Sequence, residues 1–381
     1  MGHSIDFDIV AGRNGSPEIF TMGYDAKKSR KGDLFLNNIT GTKEVLEDCR
    51  NKGICLVGAP CAWSMDGGHA DLIVRDSADF RIRPYSDLWI DLKADTVGAV
   101  VQVPGMPAPI GPVSGVVGMV TYWMMVADAC RILARRGKKL PVQGDEPSLS
   151  GRDVPVVSLR DPLLDDYFEN VLLQLDMIRA EMGSIQKIAA MAAESALSGG
   201  KVYGYSQNRN ALCVEAQTRR GGLTLTRGLY DNSGSITAFD GEFRGSSKDL
   251  VIMGVFSPDD PTDLKNLDSF RAAGMKIASI GPMTRDIKVP DGRTVPGEAD
   301  VHAGRMCDTY GLYALPGFDR RICPTSGVMI NQLFYAIVMT TVEEIMWRSG
   351  GDVPGGYFSA AVRGGTEHMH RMNTWWGERG Y

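Results

Sequence analysis

The side chains that could move protons in this chain are few and fall in three places. Glu215 precedes Arg219 by four residues in NALCVEAQTRR, a spacing that sets both on one face of a helix. Glu367 and His368 are adjacent in GGTEHMH, with His370 two residues on. His3 and Ser4 follow Gly2 at the first positions of the sequence. Glu and His are the usual agents of general acid–base catalysis, because burial or a neighbouring charge brings their pKa near the working pH. A Glu-Arg pair at i, i+4 is also commonplace on solvated helix faces, so Glu215 carries both readings. One Glu beside His-x-His falls short of the four ligands of a structural zinc, and no metal is expected. His69 and His302 stand alone, and Trp375-Trp376 reads as a packing or interface anchor. The chain has neither GxxxxGK[ST] nor a GxGxxG after a strand, so no nucleotide cofactor is implied.

Something must hold these residues, and the composition bounds what. The 381 residues suit two domains rather than one. Hydrophobic residues at 43% and charged residues at 23% allow each to bury a core. A net charge of −5 argues against a nucleic-acid or anionic-membrane surface and leaves small anions as partners. Seven cysteines without a CxxC pair fit structural thiols in a reduced, cytoplasmic setting. MGHSIDFDIV lacks the basic region and apolar core of a signal peptide. The apolar run over 116–127 falls short of the roughly 20 residues that span a bilayer, so no membrane partner is expected.

The organising signal is a repeat. PVSGVVGMVTYWMMVADACRILARRG and PTSGVMINQLFYAIVMTTVEEIMWRS align at a constant offset of 212, Ser114 against Ser326. Each reads as a long buried helix with Ser as a cap. Upstream of each lies a strand, loop, helix and strand, the crossover unit of a parallel sheet. Asp33 aligns with Asp249, Gly53 with Gly274, Pro60 with Pro282 and Ala70-Asp71 with Ala299-Asp300, in preserved order. Pro, Gly and charge concentrate over 137–165, which places a boundary there and divides the chain into 1–150 and 151–381. Residues 167–198 are helical, interrupted near Gly183 and stopped by Gly199-Gly200. Lys201-Val202-Tyr203 starts a strand, and residues 231–235 read as a connector.

The order of these pieces resembles the sugar isomerase (SIS) phosphosugar-binding domain, particularly its stand-alone bacterial form. The carriers are KVYGYS, the helix ending RRGGL, DLVIMGV, FRAAGMKIASIG, an Ala-Asp strand, PTSGV with its long helix, and GGTEH. The resemblance covers most of 167–381, and residues 2–135 look like a shortened copy. It implies an α/β fold of two SIS-like, flavodoxin-like, doubly wound parallel-sheet domains in tandem. The implied ligand is a sugar phosphate at the strand C-terminal ends, held by small residues and helix N-termini.

Carried over by position, the first-half phosphate loop is 37–42, with Asn38, Thr40 and Thr42 as donors, and its second-half counterpart is 257–262, with Ser257 and Thr262. Asp259 and Asp260 in that second loop oppose a phosphate. The first-strand loop, Gly-His-Ser in the family, reads Gly204-Tyr205-Ser206 here, while Gly2-His3-Ser4 opens the first half; Ser206 and Ser4 are the matching hydroxyls. Glu215 falls where the family carries an acidic residue, with Arg219 beside it. The resemblance therefore implies aldose–ketose isomerisation, with Glu215, His3, Glu367 and His368 as acid–base candidates. A lyase or hydrolase acting on a sugar-phosphate derivative and a non-catalytic sugar-phosphate sensor are the alternatives. A homo-oligomer, dimer or higher, is the expected assembly.

Overall fold

The computed structural model of the protein describes residues 24–37, 43–58, 85–90, 100–101, 103–104, 110–111, 114–138, 142, 162–207, 211–216, 225–232, 235–238, 243–283, 291–304, 311–350, 370–371, 374 and 377–378. In the first half, β1 (Leu34–Asn37), α1 (Lys43–Lys52), β2 (Cys55–Gly58) and β3 (Leu88–Trp89) precede the long α2 (Ser114–Arg135). The three strands pair in parallel in the order β1-β2-β3. Parallel pairing requires a crossover, and α1 supplies it, burying Leu46 and Cys49 against Ile54 and Leu56.

The second half opens with α3 (Leu163–Met177), a 3₁₀ turn (Ile178–Glu181) and α4 (Met182–Leu197). The helical break thus lies just ahead of Gly183, at the 3₁₀ turn. Then follow β4 (Val202–Gln207), α5 (Ala211–Ala216), β5 (Thr226–Asn232), β6 (Ser235–Ala238), β7 (Leu250–Gly254), α6 (Pro261–Ala272), β8 (Lys276–Ile280), α7 (Val295–Glu298), β9 (Val301–Ala303) and α8 (Ser326–Arg348). One sheet has the order β6-β5-β4-β7-β8-β9, parallel except for β6. The expected connector over 231–235 is corrected here: β5 and β6 form an antiparallel hairpin from Leu229↔Ala238 to Asn232↔Ser235.

Every residue of β7 is buried, because helices cover both faces of the sheet. Val202, Leu250, Ile252, Ala278 and Ile280 face α4, α5 and α8. Tyr203, Tyr205, Val251, Met253 and Ile277 face Leu264, Leu267 and Phe270 of α6 and Val295 of α7. The sheet is doubly wound.

The repeat is legible in hydrogen bonds as well as in letters. Gly53 (φ 67°) and Gly274 (φ 76°) each end a helix in the left-handed region that glycine alone enters freely. The strand that follows each starts alike: Cys55 N–H donates to the Asp33 carbonyl, and Lys276 N–H to the Asp249 carbonyl, both at 3.0 Å. Leu56 N–H donates to the Asp87 carboxylate and Ile277 N–H to the Asp300 carboxylate, each at 2.8 Å. Asp87 is therefore the counterpart of Asp300. The alignment through Asp71, which lies outside the described residues, is corrected. Proximity of like letters misled, whereas the role of bonding the neighbouring strand identifies the position.

Ahead of the long helices the bridges Val101↔Ile110 and Tyr313↔Ile322 recur at the offset of 212. The next residue, Gly111 (φ 80°) and Cys323 (φ 59°) respectively, is left-handed in both copies. The helices then meet at equivalent residues, Asn331 Nδ2 lying 3.5 Å from Met119 Sδ. A residue touching its own counterpart marks a pseudo-two-fold axis through the α2–α8 contact.

Two expectations about these helices change. Thr325, not Ser326, is the residue ahead of α8, and its hydroxyl donates to Gln174 Oε1 at 2.8 Å instead of capping. The apolar stretch of α2 extends over Val116–Arg135 and that of α8 over Ser326–Arg348, each long and apolar enough by composition to cross a bilayer. Both bury much of that surface in the protein's core, with Trp123, Val126 and Ala127 of α2 packed in one cluster with Leu333, Ile337 and Val338 of α8.

Candidate functional site

The order β5-β4-β7 contains the site's geometry. From β4 the chain runs outward to β5, then returns to add β7 on β4's other side. Adjacent strands whose connections leave in opposite directions open a crevice at their C-terminal ends, where ligands of doubly wound sheets bind. The β4 lip of this crevice carries Ser206 and Gln207, and the β7 lip runs from Val255 to Asp260.

Small residues let the covering helices come close behind this edge. A Cβ on Gly204 would collide with Ala216 Cβ of α5, and one on Gly254 would meet Leu212 Cδ2 at 2.7 Å. At the ends of the next two strands Gly281 (φ 136°) and Gly304 (φ 116°) accept backbone angles that other residues rarely adopt. A Cβ on Gly304 would stand 2.6 Å from the Gly281 carbonyl oxygen.

On the β4 lip Ser206 is fully buried, and its Oγ accepts from Cys213 N–H at 3.3 Å. Glu215 falls in α5, two residues beyond Cys213.

On the β7 lip the carried-over phosphate loop is already occupied. Asp260 caps α6, its carboxylate accepting from Thr262 N–H at 2.8 Å and from Asp263 N–H at 3.3 Å. Gln207 Nε2 donates to the same oxygen at 2.7 Å and ties the two lips together. Ser257 Oγ donates to Asp259 Oδ1 at 3.1 Å, and Asp259 is fully buried. In the loop expected to meet a phosphate, Ser257 Oγ and Thr262 N–H thus donate to the loop's own carboxylates. A helix N-terminus that already holds its own Asp carboxylate has less to offer another anion.

Behind this lip lies a polar seam that the sequence reading missed. Tyr205 O–H donates to Asp263 Oδ1 at 3.1 Å, and Asn266 Nδ2 donates to Tyr205 Oη at 2.7 Å and to Asp231 Oδ2 at 3.0 Å. All four side chains are buried. Burial pushes the Asp263 carboxyl up to about 8, with the carboxylates of Asp260 and Asp231 adding to the rise. The available signal was Asp263 and Asn266 at i, i+3 among the apolar positions of α6. His302, read as structural, shares its Nδ1 with Ser279 Oγ at 2.8 Å across β8 and β9.

His3, Ser4, Asn38, Thr40, Thr42, Arg219, Glu367 and His368 lie outside the described residues. Among the described residues no group of three or more His, Cys, Asp or Glu could hold a metal ion.

No family model matches the chain, and no curated protein matches its sequence. Among solved structures it is similar to the C-terminal domain of glucosamine-fructose-6-phosphate aminotransferase from Francisella tularensis. That likeness has 13% identity and a TM-score of 0.45 and covers 93% of this chain and 84% of that one. It is also similar to a candidate phosphosugar isomerase from Clostridium difficile, with 11% identity, a TM-score of 0.40 and coverage of 84% and 71%. A third, a candidate phosphosugar isomerase from Salmonella typhimurium, has 13% identity, a TM-score of 0.36 and coverage of 82% and 71%. The doubly wound assignment stands on the strand order and register given above.

Proposed function

We propose that the protein binds a phosphorylated sugar or a related small anionic sugar at the crevice between β4 and β7 and isomerises it by acid–base chemistry, with Glu215 as the base. The observation that carries this reading is the switch point between the parallel strands β4 and β7, whose connections leave to opposite sides of the sheet and open a crevice at the edge that Ser206 occupies, with Glu215 in the helix that follows β4. The motif order of the sequence supplies the sugar-phosphate class. Aldose–ketose isomerisation asks only for a base that carries a proton between adjacent carbons and a donor near the ring oxygen. Glu215, in the helix that follows β4, is the residue proposed for the first task. The phosphate is assigned to the β4 lip, because Asp260 fills the opposite one.

The test is incubation with ketose and aldose phosphates in deuterated water. Deuterium should enter at the carbon beside the carbonyl, and Glu215→Gln should slow that exchange by at least about 10²-fold, the usual scale for losing a general base. His368→Ala with equal or greater loss would move the base to the GGTEH segment, and unchanged exchange in both variants would reject the site. A second reading, a sensor that binds without turnover, is favoured by the carboxylate-filled loop at Asp259-Asp260. Thermal stabilisation by sugar phosphates without deuterium incorporation would select it.

A further inference from the structure

The seam behind the β7 lip holds three carboxylates under one helix terminus. Asp263 sits in the first turn of α6, fully buried between that helix and the sheet. The titratable and charged groups facing it are Tyr205 from β4, Asp231 from β5 and Asp260 from its own helix cap. The neutral amides of Gln207, from β4, and Asn266, from α6, complete the set. Asp260 is held as an acceptor by two backbone N–H groups and Gln207, and Asp231 accepts from Asn266. Like charges packed into one dry seam cannot all ionise without cost, so the most deeply buried of them keeps its proton.

The same hydrogen bonds fix the loop at the crevice. Val295 N–H donates to the Pro258 carbonyl at 2.7 Å and Asp260 N–H to the Ser257 carbonyl at 3.1 Å, while Gln207 anchors Asp260 from the other lip. Residues 255–260 are thus carried on the N-terminus of α6.

We propose that the proton on Asp263 is a latch for the 255–260 loop: with Asp263 neutral, the first turn of α6 stays seated on Tyr205 and Gln207, and ionisation beside Asp260 and Asp231 releases that turn and the loop it carries. The device is a pH-dependent opening of one lip of the crevice. It stands on the buried geometry and is independent of what the crevice binds.

Hydrogen–deuterium exchange of the whole chain between pH 6.5 and 9.5, corrected for intrinsic exchange rates, tests it. Protection over 255–264 should fall about ten-fold for each unit as pH rises to about 8 and level off above it, where Asp263 ionises in the closed form as well, while residues 328–345 of α8 keep theirs. Asp263→Asn should hold protection to the top of the range. Tyr205→Phe removes a bond that favours the ionised form, so it should move the step to higher pH and decides the matter should Asp263→Asn fail to fold. Level protection in the natural chain, an unchanged step in Asp263→Asn, or an unmoved step in Tyr205→Phe would each overturn the proposal.

Discussion

At the scale of single residues, Asp263 shows how local chemistry and fold pull apart. In sequence it is one acid among several in SPDDPTD, a stretch that reads as the counterpart of a phosphate loop running into a helix. In the fold its side chain points at the sheet, where burial raises its pKa from 3.8 to about 8. The folded state thus holds a proton that the unfolded state releases. The corresponding stability is fully present below about pH 3.8, declines as pH rises and is lost once pH passes about 8. The limiting slope is about 1.4 kcal/mol per pH unit. Urea unfolding at pH 5, 6.5 and 8 should show the natural chain losing stability over this interval relative to Asp263→Asn, with the two curves parallel above pH 9. A constant difference at all three pH values would place the proton elsewhere.

At the scale of elements, two features depend on close approach. Gly281 combines a φ of 136° with a Cβ direction blocked by the Val255 carbonyl, and both the strain and the collision fall on backbone. Gly281→Ala should cost about 3 kcal/mol or more, read from the denaturation midpoint, whereas Gly183→Ala in α4, with open space around its Cβ, should cost nothing or stabilise. At the α2–α8 crossing Asn331 is fully buried and its Oδ1 has no hydrogen-bond partner. Its Nδ2 donates to the Gly327 carbonyl, which the helical N–H of residue 331 also reaches. Asn331→Leu therefore leaves no acceptor bare and should raise stability by about 1 kcal/mol. A loss instead would mean that the amide fixes how the two helices cross. The sequence displayed these helices plainly, since a long apolar run repeated at one offset leaves little else to fold into. It displayed β5 and β6 poorly, because a short hairpin in TRGLYDNSGSITA carries no strong alternation. It misplaced the Asp71 counterpart because nothing in a pair of letters records which backbone amide the carboxylate meets. Of the candidate site, position along a strand was legible: Ser206 stands near the end of β4, at the switch point of the sheet. What lies opposite a donor was not legible, as for Ser257 Oγ and Thr262 N–H, which in the fold donate to Asp259 and Asp260 of the same loop.

At the scale of the whole molecule, duplication and cooperativity make opposite demands on the proposed boundary near residue 150. The repeat divides the chain into two units of similar plan, and a tandem array with separate cores would unfold in two steps. The contacts run the other way. Val103, Val116, Trp123 and Val126 of the first half share one apolar cluster with Leu163, Tyr167, Phe334 and Val338 of the second. Val142 N–H donates to Asp319 Oδ1 at 2.9 Å, and Cys323 Sγ lies 4.0 Å from the Trp123 carbonyl. The pseudo-two-fold contact at Met119 and Asn331 has the character of a dimer interface built into one chain. Removing the first half would strip α2 from α3 and α8 and leave the apolar faces of both uncovered. Residues 151–381 expressed alone should therefore aggregate or self-associate through the bared α8 surface, and the full chain should melt in a single calorimetric transition. Two resolved transitions, or a monomeric 151–381 fragment as stable as the full chain, would show that each half carries its own core.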